Sequence, residues 1–161
     1  VGGDALAATT HAALLVECRK RGVDYEVVHG SSIFTAVAEC GLSLYKFGET
    51  VTVPFWEKNY SPSSFYETIC KNKKMGLHSL ILLDIGMSVK EGLETVLKIE
   101  KMKKKRLFHS SRIVSLSMLG RPEQRILYET IEKLLLVEEK PAVLILPGRL
   151  NVVEKEFLES L

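Results

Sequence analysis

The chain is poor in cysteine: Cys18, Cys40 and Cys70 stand far apart in 161 residues. That spacing excludes a disulfide framework, and with no Cys-x-x-Cys or paired Cys/His pattern it excludes a zinc site. Free thiols of this kind fit a reducing, cytoplasmic compartment. Long hydrophobic runs are lacking as well. The longest, Leu80-Ile81-Leu82-Leu83 and Ala142 to Leu146, are far too short to span a bilayer, and no signal peptide is visible. A strong charge of either sign is missing, and a formal net charge of +2 predicts no global attraction to nucleic acid. Several catalytic signatures are absent too. There is no Gly-x-Ser-x-Gly elbow, no His-Glu-x-x-His pair and no Gly-x-x-x-x-Gly-Lys phosphate loop, nor any repeat or low-complexity linker.

What is present is globular. Hydrophobic residues make up 46% and charged residues 26%, and the length suffices for one domain with a genuine core. Thr9 to Arg21 predicts an amphipathic helix, with Leu14, Leu15 and Cys18 on one side, Thr9 and Thr10 as caps and Gly22 as its stop. Tyr25 to Val28 reads as a short strand running into His29-Gly30. Ser31 or Ser32 then caps a helix through Ala38 that Gly41 ends. Thr50 to Val53 alternates as a strand does and stops at Pro54. Ser61-Pro62-Ser63-Ser64 starts a helix, with proline in its first turn, that reaches Gly76. His78 to Leu83 reads as a buried strand with Asp84 at its end, followed by a helix from Val89 to about Lys101. Further strands are expected at Ile113 to Met118, Gln124 to Tyr128 and Val143 to Leu146, with a Gly120-Arg121-Pro122 turn. Helices are expected at Glu129 to Val137 and Val152 to Leu161. This alternation predicts an α/β or α+β class with a mixed central sheet covered by helices.

The local basic run Lys101 to Arg106, the one candidate for a flexible insertion, has two readings: a solvated helix end or loop, or a docking patch for an acidic or RNA-bound partner. Trp56, beside Phe55 and Pro54, is either core or a substrate-facing platform. His11 and His78 read as hydrogen-bonded structural residues, because no nucleophile lies in a motif with either.

The most informative segment is the opening one, Val1-Gly2-Gly3-Asp4-Ala5-Leu6-Ala7-Ala8-Thr9-Thr10-His11. It sets a glycine pair and a lone carboxylate before an apolar helical run, as a ligand-gripping loop does. No strand precedes this loop, and we read the chain as one whose front portion is absent. In order there follow His29-Gly30-Ser31-Ser32-Ile33, Leu44 to Val51, Gly76-Leu77-His78 with Leu82-Leu83-Asp84-Ile85, and Leu146-Pro147-Gly148. This ordered set resembles the diphthine synthase family, S-adenosylmethionine-dependent methyltransferases of the wider tetrapyrrole methylase group, over nearly the whole chain.

The resemblance implies that residues 1–161 form the C-terminal, cofactor-cleft part of a two-domain methyltransferase whose front domain is missing from this chain. It implies S-adenosyl-L-methionine as cofactor, with S-adenosyl-L-homocysteine as its product. Carried over by position, the cofactor contacts are Asp4, Ala7, Ser32, Ile33, Leu83, Leu119 and Ala142. The leucines and Ile33 would pack the adenine and thioether, while Asp4 and Ser32 supply polar grip. No metal and no acid/base dyad is expected, because methyl transfer asks mainly for alignment and exclusion of water. The implied acceptor is the modified histidine of translation elongation factor 2, and the implied assembly is a homodimer with neither membrane nor direct nucleic-acid contact. Pro54-Phe55-Trp56 looks like the eukaryotic branch, which makes the methyl ester of diphthine. Four positions depart from the family pattern: Ala5 for proline, Met118 for arginine, Ala142 for histidine and Asn151 for histidine. They favour the alternative of a non-catalytic dimerisation or cofactor-binding module.

Overall fold

Short runs of β-branched and aliphatic residues fold into one five-stranded sheet in a computed structural model that describes residues 3–57 and 60–161. Val1 and Gly2 of the opening loop lie outside the described residues. The chain divides into two units, Val1–Glu39 and Cys40–Leu161.

The second unit holds the whole sheet. Its strands are β1 (Val51–Val53), β2 (Ser79–Leu83), β3 (Ile113–Ser117), β4 (Arg125–Glu129) and β5 (Ala142–Leu146), in the order β1-β2-β5-β3-β4. β1 and β2 are parallel, β5 runs antiparallel to β2 and β3, and β4 closes a hairpin on β3. Strands β1, β2 and β3 therefore end at one edge of the sheet, where β5 and β4 begin. The expected mixed sheet is the one observed.

One face of the sheet carries Val53, Ile81, Leu144 and Ile113 into the main core, against the helices α3 (Ser64–Lys74) and α4 (Val89–Lys103). Val89, Leu93, Val96 and Ile99 on α4 recur at helical spacing and are fully buried. Each such side chain contributes about 1.5–3 kcal/mol by leaving water. Ser88 and Glu91 close a reciprocal capping box that fixes where α4 starts. The helices α5 (Ile131–Leu134) and α6 (Val152–Glu159) complete the unit.

Several local expectations are corrected. The first unit contains α1 (Ala12–Arg21) and α2 (Ile33–Ala36). Helix α1 starts at Ala12 with His11 as its N-cap: Thr9 Oγ1 instead accepts the His11 N–H, and neither threonine side chain caps the helix. Its apolar side is not buried within the chain, and Leu14 is 61% exposed. Gly22 ends it in the left-handed region (φ 65°) as expected. Tyr25 to Val28 forms no strand, because no strand among the described residues pairs with it. Pro62 precedes the cap of α3 rather than entering its first turn, and α5 is a single turn. Lys101 to Arg106 is no flexible insertion but the last turn of α4 and the chain just beyond it. Lys104 is the left-handed cap, and Lys103 and Lys105 both reach Glu67 on α3. Among the described residues, no helix is long and apolar enough to cross a membrane.

Candidate functional site

In the first unit two loops are stitched together around one carboxylate. Asp4 Oδ1 accepts the Leu6 N–H at 2.8 Å. Asp4 Oδ2 accepts the Gly30 N–H at 3.2 Å and meets His29 Nδ1 at 2.8 Å. The Asp4 N–H in turn donates to Ser31 O at 2.8 Å. The approach is close enough to require glycine, since a Cβ on Gly30 would lie 2.7 Å from Gly3 O. The Leu6 N–H, and then His29, hold the Asp4 carboxyl below the usual carboxylate range.

Ser32 follows as the N-cap of α2, its Oγ accepting the Phe34 N–H at 3.1 Å. A hydroxyl that accepts there still has its own hydrogen to donate. Ile33 opens the helix, half-buried, and Ala7 sits in the turn beyond Asp4. Asp4, Ser32 and Ile33 are thus brought close along one stitched loop pair. His11 is used structurally, its Nδ1 lying 2.8 Å from Ala5 O.

In the second unit the three remaining predicted contacts share the sheet edge where β1, β2 and β3 end. Leu83 closes β2, Ala142 opens β5 opposite Ser117, and Leu119 lies two residues beyond Ser117. Leu83 turns its side chain onto α4, where a Cβ on Gly92 would lie 2.5 Å from Leu83 Cδ2. What it can offer a ligand is chiefly backbone. A cavity of about 290 Å³ opens at the same edge, lined by Thr52, Pro54, Tyr60, Pro62, Phe65 and Asp84 among others. Trp56 is half-buried against the core and spends its indole N–H on Pro62 O at 3.1 Å, so it is an anchor there.

Sequence reasoning missed two arrangements. His29 was part of a recognised motif, yet its pairing with Asp4 across 25 positions leaves no trace in spacing. The other is a buried cluster in the second unit. Glu154 takes the Ser43 N–H and His78 Nε2 on one oxygen and the Lys46 ammonium on the other. His78 Nδ1 accepts the Gly148 N–H at 2.9 Å, which makes the ring a neutral donor through Nε2. Burial pushes the His78 imidazole below its ordinary range. Burial alone would raise Glu154, but Lys46 and the Asn151 and Ser43 N–H groups outweigh it and hold its pKa at about 2. The signal available was Asn151-x-x-Glu154, a capping box at the start of α6 (Val152–Glu159). Among the described residues, no group of three or more His, Cys, Asp or Glu side chains could hold a metal ion.

The family model for tetrapyrrole (corrin/porphyrin) methylases matches residues 1–135. A diphthine synthase of Methanococcus maripaludis is 36% identical over 99% of this chain and 66% of its own length. A diphthine methyl ester synthase candidate of Arabidopsis thaliana has the same identity and the same two coverages. The crystal structure of a diphthine synthase candidate from Entamoeba histolytica superposes with a TM-score of 0.91 at 31% identity, covering 98% of this chain and 68% of that one. The chain spans 66% of the length of the curated relatives it matches, just under two thirds.

Proposed function

This chain belongs to the tetrapyrrole methylase family, and we propose that it is the cofactor-cleft part of an S-adenosylmethionine-dependent methyltransferase of diphthamide synthesis. The acceptor in this reading is the modified histidine of translation elongation factor 2. The protein works in the cytoplasm as a homodimer, without membrane or direct nucleic-acid contact. The observation that carries the reading is the extent of the likeness, which runs over 99% of the chain. Similarity to the Arabidopsis thaliana protein, with Pro54-Phe55-Trp56, favours the methyl ester product.

The residues present fit the cofactor. S-adenosyl-L-methionine supplies a methyl group on a positively charged sulfur and leaves as S-adenosyl-L-homocysteine. In the first unit Asp4 holds a fixed negative charge, Ser32 keeps a hydroxyl hydrogen to donate, and Ala7 and Ile33 add apolar surface. In the second unit Leu83, Leu119 and Ala142 place backbone and small apolar groups at one sheet edge, the composition expected of a mostly apolar pocket with few polar groups.

Calorimetric titration with S-adenosyl-L-methionine and S-adenosyl-L-homocysteine, followed by mass analysis of elongation factor 2 carrying the unmethylated side chain, tests this. Heat with both ligands and stepwise methyl increments on the acceptor are expected. Heat without transfer would instead identify the non-catalytic module, a reading favoured by Ala142, which leaves a methyl group where the family pattern has a ring. No heat with either ligand would end the methyltransferase reading and leave a dimerisation module that binds no cofactor.

A further inference from the structure

An exposed imidazole whose tautomer is fixed by a partly buried carboxylate is an arrangement suited to accepting a proton. In the first unit His29 has 73% of its side chain exposed, whereas the Asp4 side chain is 11% exposed. Asp4 is not free to swing, because the Leu6 and Gly30 N–H groups hold its two oxygens from the backbone. An ionised carboxylate only accepts, so the 2.8 Å contact requires the hydrogen on His29 Nδ1. The lone pair of the neutral ring is then on Nε2, which has no hydrogen-bond partner among the described residues. Asp4 is the charged group that this ring meets in its unit.

We propose that His29 is the proton acceptor for the amine to be methylated, with Asp4 as its positioning residue; this rests on the methyl-transfer reading above. An aliphatic amine is mainly an ammonium at neutral pH and has no lone pair to attack with. His29 Nε2 takes one proton from that ammonium, giving an imidazolium and a neutral amine. The amine's lone pair forms the new N–C bond to the methyl group of the sulfonium donor as the C–S bond breaks. The electron pair of that bond stays on sulfur, which leaves as a neutral thioether. The imidazolium then passes its proton to water, and the ring is ready for the next addition. The structural role and the proton-accepting role of His29 lie on different nitrogens, so they can be separated.

The test is His29→Asn in the full-length protein. The asparagine amide can replace Nδ1–H as donor to Asp4 but offers no basic nitrogen. Cofactor affinity within twofold of wild type and an unchanged melting temperature are expected. Methyl transfer at pH 7 should fall at least 100-fold and recover as the pH rises toward the amine's own pKa. Independently of activity, ¹⁵N spectra of the wild-type ring should show the Nδ1–H tautomer with an unprotonated Nε2. An Nε2–H tautomer, or full transfer at pH 7 by the variant, overturns the proposal. Wild-type protein that shows the Nδ1–H tautomer but methylates no acceptor overturns the methyl-transfer reading itself, and the proposal with it.

Discussion

Glu154→Gln removes the charge of a deeply buried carboxylate while keeping its shape. The side chain is 2% exposed, and its pKa lies at about 2 against an ordinary 4.5. A group whose folded pKa is depressed contributes stability that is complete above the unfolded pKa and is lost as pH falls through the folded one. The window is therefore pH 4.5 down to about 2. The shift corresponds to about 3 kcal/mol at neutral pH, at 1.36 kcal/mol per pKa unit. Gln can still accept the Ser43 N–H and the His78 Nε2–H on its one oxygen, but its amide nitrogen then stands where the other carboxylate oxygen met Lys46 and the Asn151 N–H, so the loss is that of the Lys46 pairing together with this arm of the capping box. His78, also depressed, adds an acid loss of the same sign that begins near its ordinary 6.5 and persists in the variant. Urea unfolding at pH 7 should show the variant less stable by about 2–3 kcal/mol, with the gap closing as wild type is taken below pH 4.5. A gap under about 0.5 kcal/mol at pH 7, or one that stays constant down to pH 3, would refute the assignment of this ion pair.

Two further substitutions probe packing. Gly92→Ala on α4 would press a methyl group onto Leu83 Cδ2, the end of a flexible side chain, so the melting temperature should change little while cofactor affinity drops severalfold. Calorimetry reads the affinity, and unchanged binding would show that no contact depends on where the Leu83 side chain packs, which leaves only its backbone among the proposed contacts. Ser115 Oγ is buried in β3 and is the one buried side-chain polar atom left without a partner among the described residues. Ser115→Ala should therefore raise stability by about 1 kcal/mol in urea titration, and a loss of that size would mean that the hydroxyl has a partner.

What was legible in the sequence was what repeats at short range. Val89, Leu93 and Val96 announce a buried helix face, and Leu80 to Leu83 announces a buried strand, because burial imposes its period directly on neighbouring residues. Tyr25 to Val28 shows the limit of the same logic. Its residues favour a strand, but a strand needs a ladder, and pairing partners are not encoded in the segment itself. The candidate site divides in the same way. Leu83, Leu119 and Ala142 are grouped by family resemblance alone, and it takes the strand order and register of the fold to put them at one end of the sheet. The Asp4–His29 pair and the Lys46–Glu154–His78 cluster could not be placed together from the sequence, because they join residues 25 to 108 positions apart through side chains whose types are ordinary on any surface. Asn151 shows what such long-range chemistry does to a reading by position. Set against a family pattern it is a lost histidine, yet in the fold its side chain accepts the Glu154 N–H and helps hold that carboxylate among Ser43, Lys46 and His78. A departure from the pattern is therefore not by itself a loss of function, and what decides is the partner the new side chain finds.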